Sequence, residues 1–301
     1  MRSVSAVFAP NDLSGSGRAA ESARLAEKRR SGGAAVGERP EIDTSVPHSA
    51  RVWNYLLGGK DNYEVDQQAA EQFRDMFPQI VDVARADRAF LGRSVRYLAG
   101  EAGVRQFLDI GTGLPTMDNT HEVAQRAAPD ARIVYVDNDP LVLTHARALL
   151  SSSPEGACDY IHADLREPGD ILEKAAATLD FGKPVAIMLL GIMHFVHDDD
   201  EARRLLGVLL DAVPSGSHVA MTHSTLDFDR GETAQAEAQD DWNEKSANPM
   251  VPRTREAITR FFDGLELLEP GVVSMSRWRP EHTPWGRPDE VPGYAAVARK
   301  P

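Results

Sequence analysis

Residues 106–116, Gln106-Phe107-Leu108-Asp109-Ile110-Gly111-Thr112-Gly113-Leu114-Pro115-Thr116, decide how the rest of the chain is read. QFLDI is a short apolar run with the length of a buried strand, and it breaks at two glycines. Glycine there lets the backbone turn sharply and leaves no Cβ between the chain and a ligand lying across the strand end. A lone GxG is a weak signal. It gains weight 26 residues after Gly111, where the next apolar run, RIVYVD, ends in the carboxylate of Asp137. A carboxylate at that point accepts hydrogen bonds from both hydroxyls of an adenosine ribose, each worth ~1.5–3 kcal/mol as a charged contact.

Outward from this point, strands and helices alternate. A helix across HEVAQRAA, the strand RIVYVD, a helix across PLVLTHARALL and the strands CDYIHAD and PVAIMLL are followed by a helix across DDDEARRLLGVLLDAV. The strand SHVAMTHS, a helix across TREAITRFF and two final strands near LELLEPGVVSM and YAAVARK complete the pattern. Apolar strand runs separated by amphipathic helices predict an α/β fold with a parallel sheet covered on both faces. The last two strands have only a Pro- and Gly-rich connection, which predicts a hairpin with one strand antiparallel to the rest. Before the core, Ile80, Val83, Phe90, Leu91, Val95 and Leu98 share one helical stripe and predict a helix packed on the sheet. Residues 46–100 are expected to form an N-terminal helical cap, 101–301 the ligand-binding domain, and 1–45, poor in large apolar groups, a disordered tail. The polar stretch 227–253 follows a strand on the ligand side of the sheet and reads as a lid or a solvated connector.

The 301 residues carry 33 basic and 46 acidic side chains, a formal net charge of −13, and no basic patch stands out, which argues against nucleic-acid partners. One cysteine, Cys158, excludes an internal disulfide and fits a reducing, cytoplasmic compartment. No run of about 18 apolar residues is present, and the apolar part of MRSVSAVFAP is too short for a secretory core, so neither a membrane span nor secretion is expected.

Two nucleotide ligands share the ribose carboxylate, NAD and S-adenosylmethionine, and the glycine loop discriminates between them. Dinucleotide sites place a third glycine three residues after the second, so that a helix N-terminus meets the pyrophosphate. Thr116 stands there, after Pro115. Asp109 would repel a phosphate and welcome the cationic amino-acid end of S-adenosylmethionine.

FLDIGTGLP, VYVDNDP, IHAD and the C-terminal hairpin resemble class I S-adenosylmethionine-dependent methyltransferases, with a Rossmann-like, seven-stranded, mostly parallel sheet. SARVWNYLLGGKDNYEVD, DIGTGLPTMDNTHEVAQ, YVDNDPLVLTHARALL and LLGIMHFVHDDD together resemble, over roughly residues 45–300, a bacterial methyltransferase family long known as a domain of unknown function, DUF574. The resemblance implies that Asp109, Gly111, Thr112 and Gly113 lie along the amino-acid end of the cofactor and that Asp137 holds its ribose. It puts Asn138, Asp164 and Leu165 around the adenine, and Leu190 and Gly191 along the methionine side. Tyr55, Gly59, Lys60 and Asn62, in the turn-like segment before residue 64, are expected to close over the cofactor or acceptor.

His194 and His197 follow the fourth strand, and the run resembles the H-x-x-x-D-E segment of small-molecule O-methyltransferases, with Phe195 departing from the usual acidic residue. His194 is the candidate general base, since an imidazole titrating near neutrality can deprotonate a hydroxyl. Asp198 to Glu201 read as a helix start rather than a metal site. The expected function is methyl transfer from S-adenosylmethionine to a small-molecule oxygen or nitrogen nucleophile. The rival readings are a regulatory protein that binds the cofactor without turnover and, less favoured, an NAD-dependent oxidoreductase.

Overall fold

The five apolar runs that the sequence assigns to the core become parallel strands in the computed structural model. They are β1 (Gln106–Ile110), β2 (Arg132–Asp137), β3 (Ala157–His162), β4 (Ala186–Leu190) and β5 (His218–Ser224), laid side by side in the order 3-2-1-4-5. The structure describes residues 43–115, 118–142, 151–228, 234–246, 248–281, 284 and 286–301. Thr116, nearly all of the expected tail and most of the helix expected over PLVLTHARALL lie outside them.

The sheet ends in an antiparallel strand, as the Pro- and Gly-rich connection predicts. β8 (Gly293–Arg299) runs antiparallel against β5. The single strand expected near LELLEPGVVSM is instead two short ones, β6 (Glu266–Leu267) and β7 (Val273–Ser274), both antiparallel to β8, which brings the sheet to eight strands. Between them stand Pro270, which has no N–H to give to a ladder, and Gly271, at φ +80°.

Period-two alternation sends side chains to two apolar layers. One face, with Phe107, Ile133, Met188 and Val297, is covered by α3 (Ile80–Gly100) through Phe90, Val95 and Leu98. The other, with Leu108, Val134, Ile187 and Met221, is covered by α5 (Pro168–Ala175), α6 (Asp199–Asp211) and α8 (Arg255–Thr259) with the turn after it. α4 (Thr120–Ala127) packs beside α3. α5 is absent from the sequence reading although Pro168, Ile171 and Ala175 share its buried face; at eight residues it is short enough to pass as a connector. On the α3 side, Trp278 is fully buried, its ring edge-on to Phe90 with centroids 5.2 Å apart. Arg93 locks that corner by donating to the carbonyls of Trp278 (2.8 Å) and Met275 (2.7 Å).

The N-terminal element consists of α1 (Ser49–Leu56) and α2 (Glu64–Met76). Asp66, fully buried, accepts from the backbone N–H of His48 and of Tyr63, both at 2.9 Å, and faces the Arg51 guanidinium at 3.3 Å. One carboxylate therefore fixes the starts of both helices. Within the polar stretch 227–253 lies a regular helix, α7 (Ala234–Lys245), where the sequence suggested a lid or connector. Its apolar residues are too sparse to announce a stripe.

Candidate cofactor and acceptor site

Because side chains alternate along a strand, Asp109, Asp137 and Thr222 emerge on the face covered by α3, at the carboxyl ends of β1, β2 and β5. Helix α3 brings Asp87 and Arg88 to the same place. Asp87 Oδ1 accepts from the Thr222 hydroxyl at 2.6 Å, and Thr222 Oγ1 accepts in turn from the Gly191 N–H at 2.8 Å. Asp109 Oδ2 accepts from the Thr120 hydroxyl at 2.6 Å. Burial pushes both the Asp87 and the Asp109 carboxyls up from 3.8 to about 6, despite their hydroxyl partners and the Arg88 charge. Asp137 is likewise raised by burial.

The glycine loop is wound onto Asp137. The Gly113 N–H donates to Asp137 Oδ2 at 2.7 Å, and the Asp139 N–H donates to Oδ1 at 2.9 Å, so the carboxylate is fixed in one plane. Gly111 sits at φ +76°, where a Cβ would stand 2.7 Å from the Ile192 side chain. The loop thus needs glycine for conformation and for space. The Thr112 hydroxyl donates back to the Asp109 carbonyl at 2.9 Å. At the next strand ends, the Asn138 amide donates to Asp164 Oδ2 at 3.1 Å. Asp164 Oδ1 accepts from the Arg166 N–H at 2.9 Å, and Leu165 is buried beside it.

After β4 the chain turns at Gly191 (φ +63°) into a 3-10 turn, Met193–Phe195, that carries His194. This imidazole is only 9% exposed, and its Nδ1 is enclosed with no hydrogen-bond partner among the described residues. Burial, reinforced by the neighbouring His223 and Arg253, depresses its pKa well below the ordinary 6.5, so the ring is neutral at physiological pH and does not titrate near neutrality as the sequence reading expected. Arg253, itself buried, organises the surroundings. It donates to the carbonyls of Met193 (3.2 Å) and Val196 (2.7 Å), pairs with Asp199 at 2.7 Å and donates to His223 Nε2 at 3.0 Å. That contact assigns the His223 proton to Nδ1, which donates to the Ser224 carbonyl at 2.8 Å. His223 is held neutral as well, its pKa lowered to about 4 by burial. Asp198 caps α6, accepting from the Glu201 N–H at 2.8 Å, and His197 bonds the Pro249 carbonyl at 2.9 Å.

All of these strand-end groups border one cavity of about 410 Å³. Its wall includes Asp109, Gly111, Thr112, Gly113, Asp137, Asn138, Asp164, Leu165, Leu190, Gly191 and His194 from the sequence reading. The other four expected residues differ: Tyr55, Gly59, Lys60 and Asn62 are not part of that wall. Their turn is wound around the buried Asn54, whose Oδ1 accepts from the Asp61 N–H (3.0 Å) and the Asn62 amide (2.9 Å). Tyr55 bonds Glu71, and Lys60 is exposed. The N-terminal element reaches the cavity one helical turn earlier, with His48, Trp53 and Asn54. His48 Nδ1 lies 3.1 Å from Asp139 Oδ2, which ties this element to the loop after β2. Asp87 and Arg88 escaped the sequence reading. The signal was present, because Asp87 falls on the helical stripe of Val83 and Phe90, where a charge is out of place unless it has a task.

A parallel α/β sheet closed by an antiparallel strand, with a ribose-type carboxylate and a glycine loop at its carboxyl edge, defines a nucleotide-binding fold of the methyltransferase class. The chain belongs to the S-adenosyl methyltransferase family, whose model matches residues 35–301, and its cofactor is S-adenosylmethionine. Two solved structures are similar over nearly their whole length. A DUF574 family protein from Streptomyces avermitilis is 43% identical, with a TM-score of 0.82, covering 87% of this chain and 100% of its own. A protein from Thermobifida fusca is also 43% identical, with a TM-score of 0.78, covering 88% of this chain and 99% of its own. No curated protein matches this chain. No helix among the described residues is long and apolar enough to cross a membrane.

Proposed function

We propose that this chain transfers the methyl group of S-adenosylmethionine to an oxygen or nitrogen of a small molecule, with His194 as the base. The supporting observation is that one cavity is bordered both by the oriented Asp137 carboxylate and by the neutral His194 imidazole, whose Nδ1 has no partner among the described residues. The donor set suits this cofactor. Asp87 and Asp109 both act on the Arg88 guanidinium, Asp137 lies near enough to Asp109 to raise its pKa, and a ligand carrying a sulfonium and an ammonium offsets that buried carboxylate charge.

In this reading Asp137 takes the ribose hydroxyls, Asn138 and Asp164 the adenine, and Asp109 with the Gly111–Gly113 backbone the amino-acid end. The bound cofactor supplies an electrophilic methyl on a positive sulfur, so the chain contributes mainly alignment. The Thr222 hydroxyl fixes the Gly191 turn and with it the position of His194. His194, kept neutral by burial, accepts the acceptor's proton on an imidazole nitrogen as its oxygen or nitrogen is methylated. The test is His194→Gln, which should keep S-adenosylhomocysteine affinity within a few-fold and lower the methylation rate by about 10²–10⁴. Lost cofactor binding, or an unchanged rate, would remove His194 from this role.

A further inference from the structure

The cavity has a second half that the cofactor groups do not account for. Away from the strand ends it runs between α1, α2, the first turns of α3, and α7 with residues 248–250. Trp53, Leu57, Phe73, Phe77, Trp242 and Met250 form its wall. Phe73 stands edge-on to both Phe77 and Trp242, each with centroids 6.2 Å apart, so the wall offers aromatic edges and faces at fixed angles. His48 enters this half facing Asp139, while Asp87 and Arg88 of α3, and His197 bonded to the Pro249 carbonyl, border the same cavity. The chamber adjoins the base: the Val251 N–H donates to the His194 carbonyl at 2.8 Å, which sets Met250 beside it. Gln239 contributes a directed polar atom. Its amide N–H₂ donates to Asn243 Oδ1 (3.1 Å) and the Met250 carbonyl (3.2 Å), so its orientation is fixed and Oε1 is left without a partner among the described residues.

Resting on the methyltransferase reading above, we infer that the acceptor is a neutral aromatic small molecule bearing a hydroxyl or amine. Its ring system lies against Phe73, Trp242 and Met250, and its reacting group meets His194. A carboxylate or phosphate on a ring held against Phe73, Trp242 and Met250 would be buried among apolar side chains, at high cost. A saturated ring of equal size would forfeit the edge-to-face contacts.

The test is titration calorimetry on the full chain with S-adenosylhomocysteine present, using 2-naphthol, 6-hydroxy-2-naphthoate and decahydro-2-naphthol. The naphthol should bind about 3- to 10-fold more tightly than its saturated counterpart, and at least about 10-fold more tightly than the carboxylated one. Phe73→Leu, which preserves apolar volume, should weaken naphthol by about 3- to 10-fold and leave S-adenosylhomocysteine within about two-fold, the latter also reporting a folded protein. Met250→Glu should abolish naphthol binding with the same control. Equal or tighter binding of the carboxylated or saturated compound, or naphthol binding indifferent to both variants, overturns the inference. Failure of the wild-type chain to bind S-adenosylhomocysteine would instead overturn the methyltransferase reading on which it rests.

Discussion

Asp109→Asn is expected to make the ligand-free protein more stable and a worse cofactor binder. In the folded chain this carboxyl is raised from 3.8 to about 6, chiefly by burial, with Thr120 and Arg88 opposing and Asp137 and Asp87 assisting. That difference corresponds to ~3 kcal/mol of preference for the neutral form. An acid with a raised folded pKa binds protons more tightly folded than unfolded, so its ionisation costs stability. The cost begins as pH rises past the unfolded value near 4 and is complete above about 6. Asparagine retains an oxygen for the Thr120 hydroxyl and carries no charge. The variant should therefore match wild type near pH 4 and exceed it near pH 8 by up to ~3 kcal/mol, or roughly 5 °C or more in Tm. Urea titrations at the two pH values, with and without S-adenosylhomocysteine, measure both effects. Wild type should gain more from the ligand than the variant does, because the ligand's ammonium offsets the charge. A variant no more stable than wild type at pH 8 would refute the claim that this carboxylate is held against its own solvation preference.

Three further outcomes follow from the same geometry. Arg253→Ala should destabilise the fold by about 3–5 kcal/mol, read by denaturant melts, since it leaves three backbone carbonyls and His223 Nε2 without their donor. Asn62→Ala should cost ~1 kcal/mol of stability for each lost hydrogen bond while leaving S-adenosylhomocysteine affinity within about two-fold, because its amide serves Asn54 and the Gly59 carbonyl. The methylation rate should show no limb from His194 between about pH 6 and 8, since burial keeps that ring neutral across the range, and a rate rising with an apparent pKa near 6.5 would contradict it.

The strands were legible because each is a short apolar run whose alternation matches two covered faces, and the antiparallel ending because Pro270 and Gly271 leave no room for a crossover helix. Gly111, Gly113 and Asp137 were legible because a sharp turn and a strand-end carboxylate each require particular residue types. Other features depend on three-dimensional packing. The polar α7 lacks a stripe strong enough to announce itself, and α5, though its Pro168, Ile171 and Ala175 share a buried face, is only eight residues long. The segment GGKDNY is polar and glycine-rich, which suits a ligand loop and equally a turn closing on a buried amide, and in the structure it closes on Asn54. Asp87 was the legible residue passed over: a carboxylate on the apolar stripe of α3 needed a partner, and Thr222 is 135 residues away in sequence.

The account rests most directly on Asp137 as the ribose ligand. Calorimetry of S-adenosylmethionine with wild type and Asp137→Ala, beside NADH as a control, tests it in one experiment. The expected result is binding of S-adenosylmethionine and not NADH by wild type, with affinity reduced about 10- to 150-fold in the variant, equivalent to ~1.5–3 kcal/mol. Equal affinity in the two proteins, or preferential binding of NADH, would contradict it.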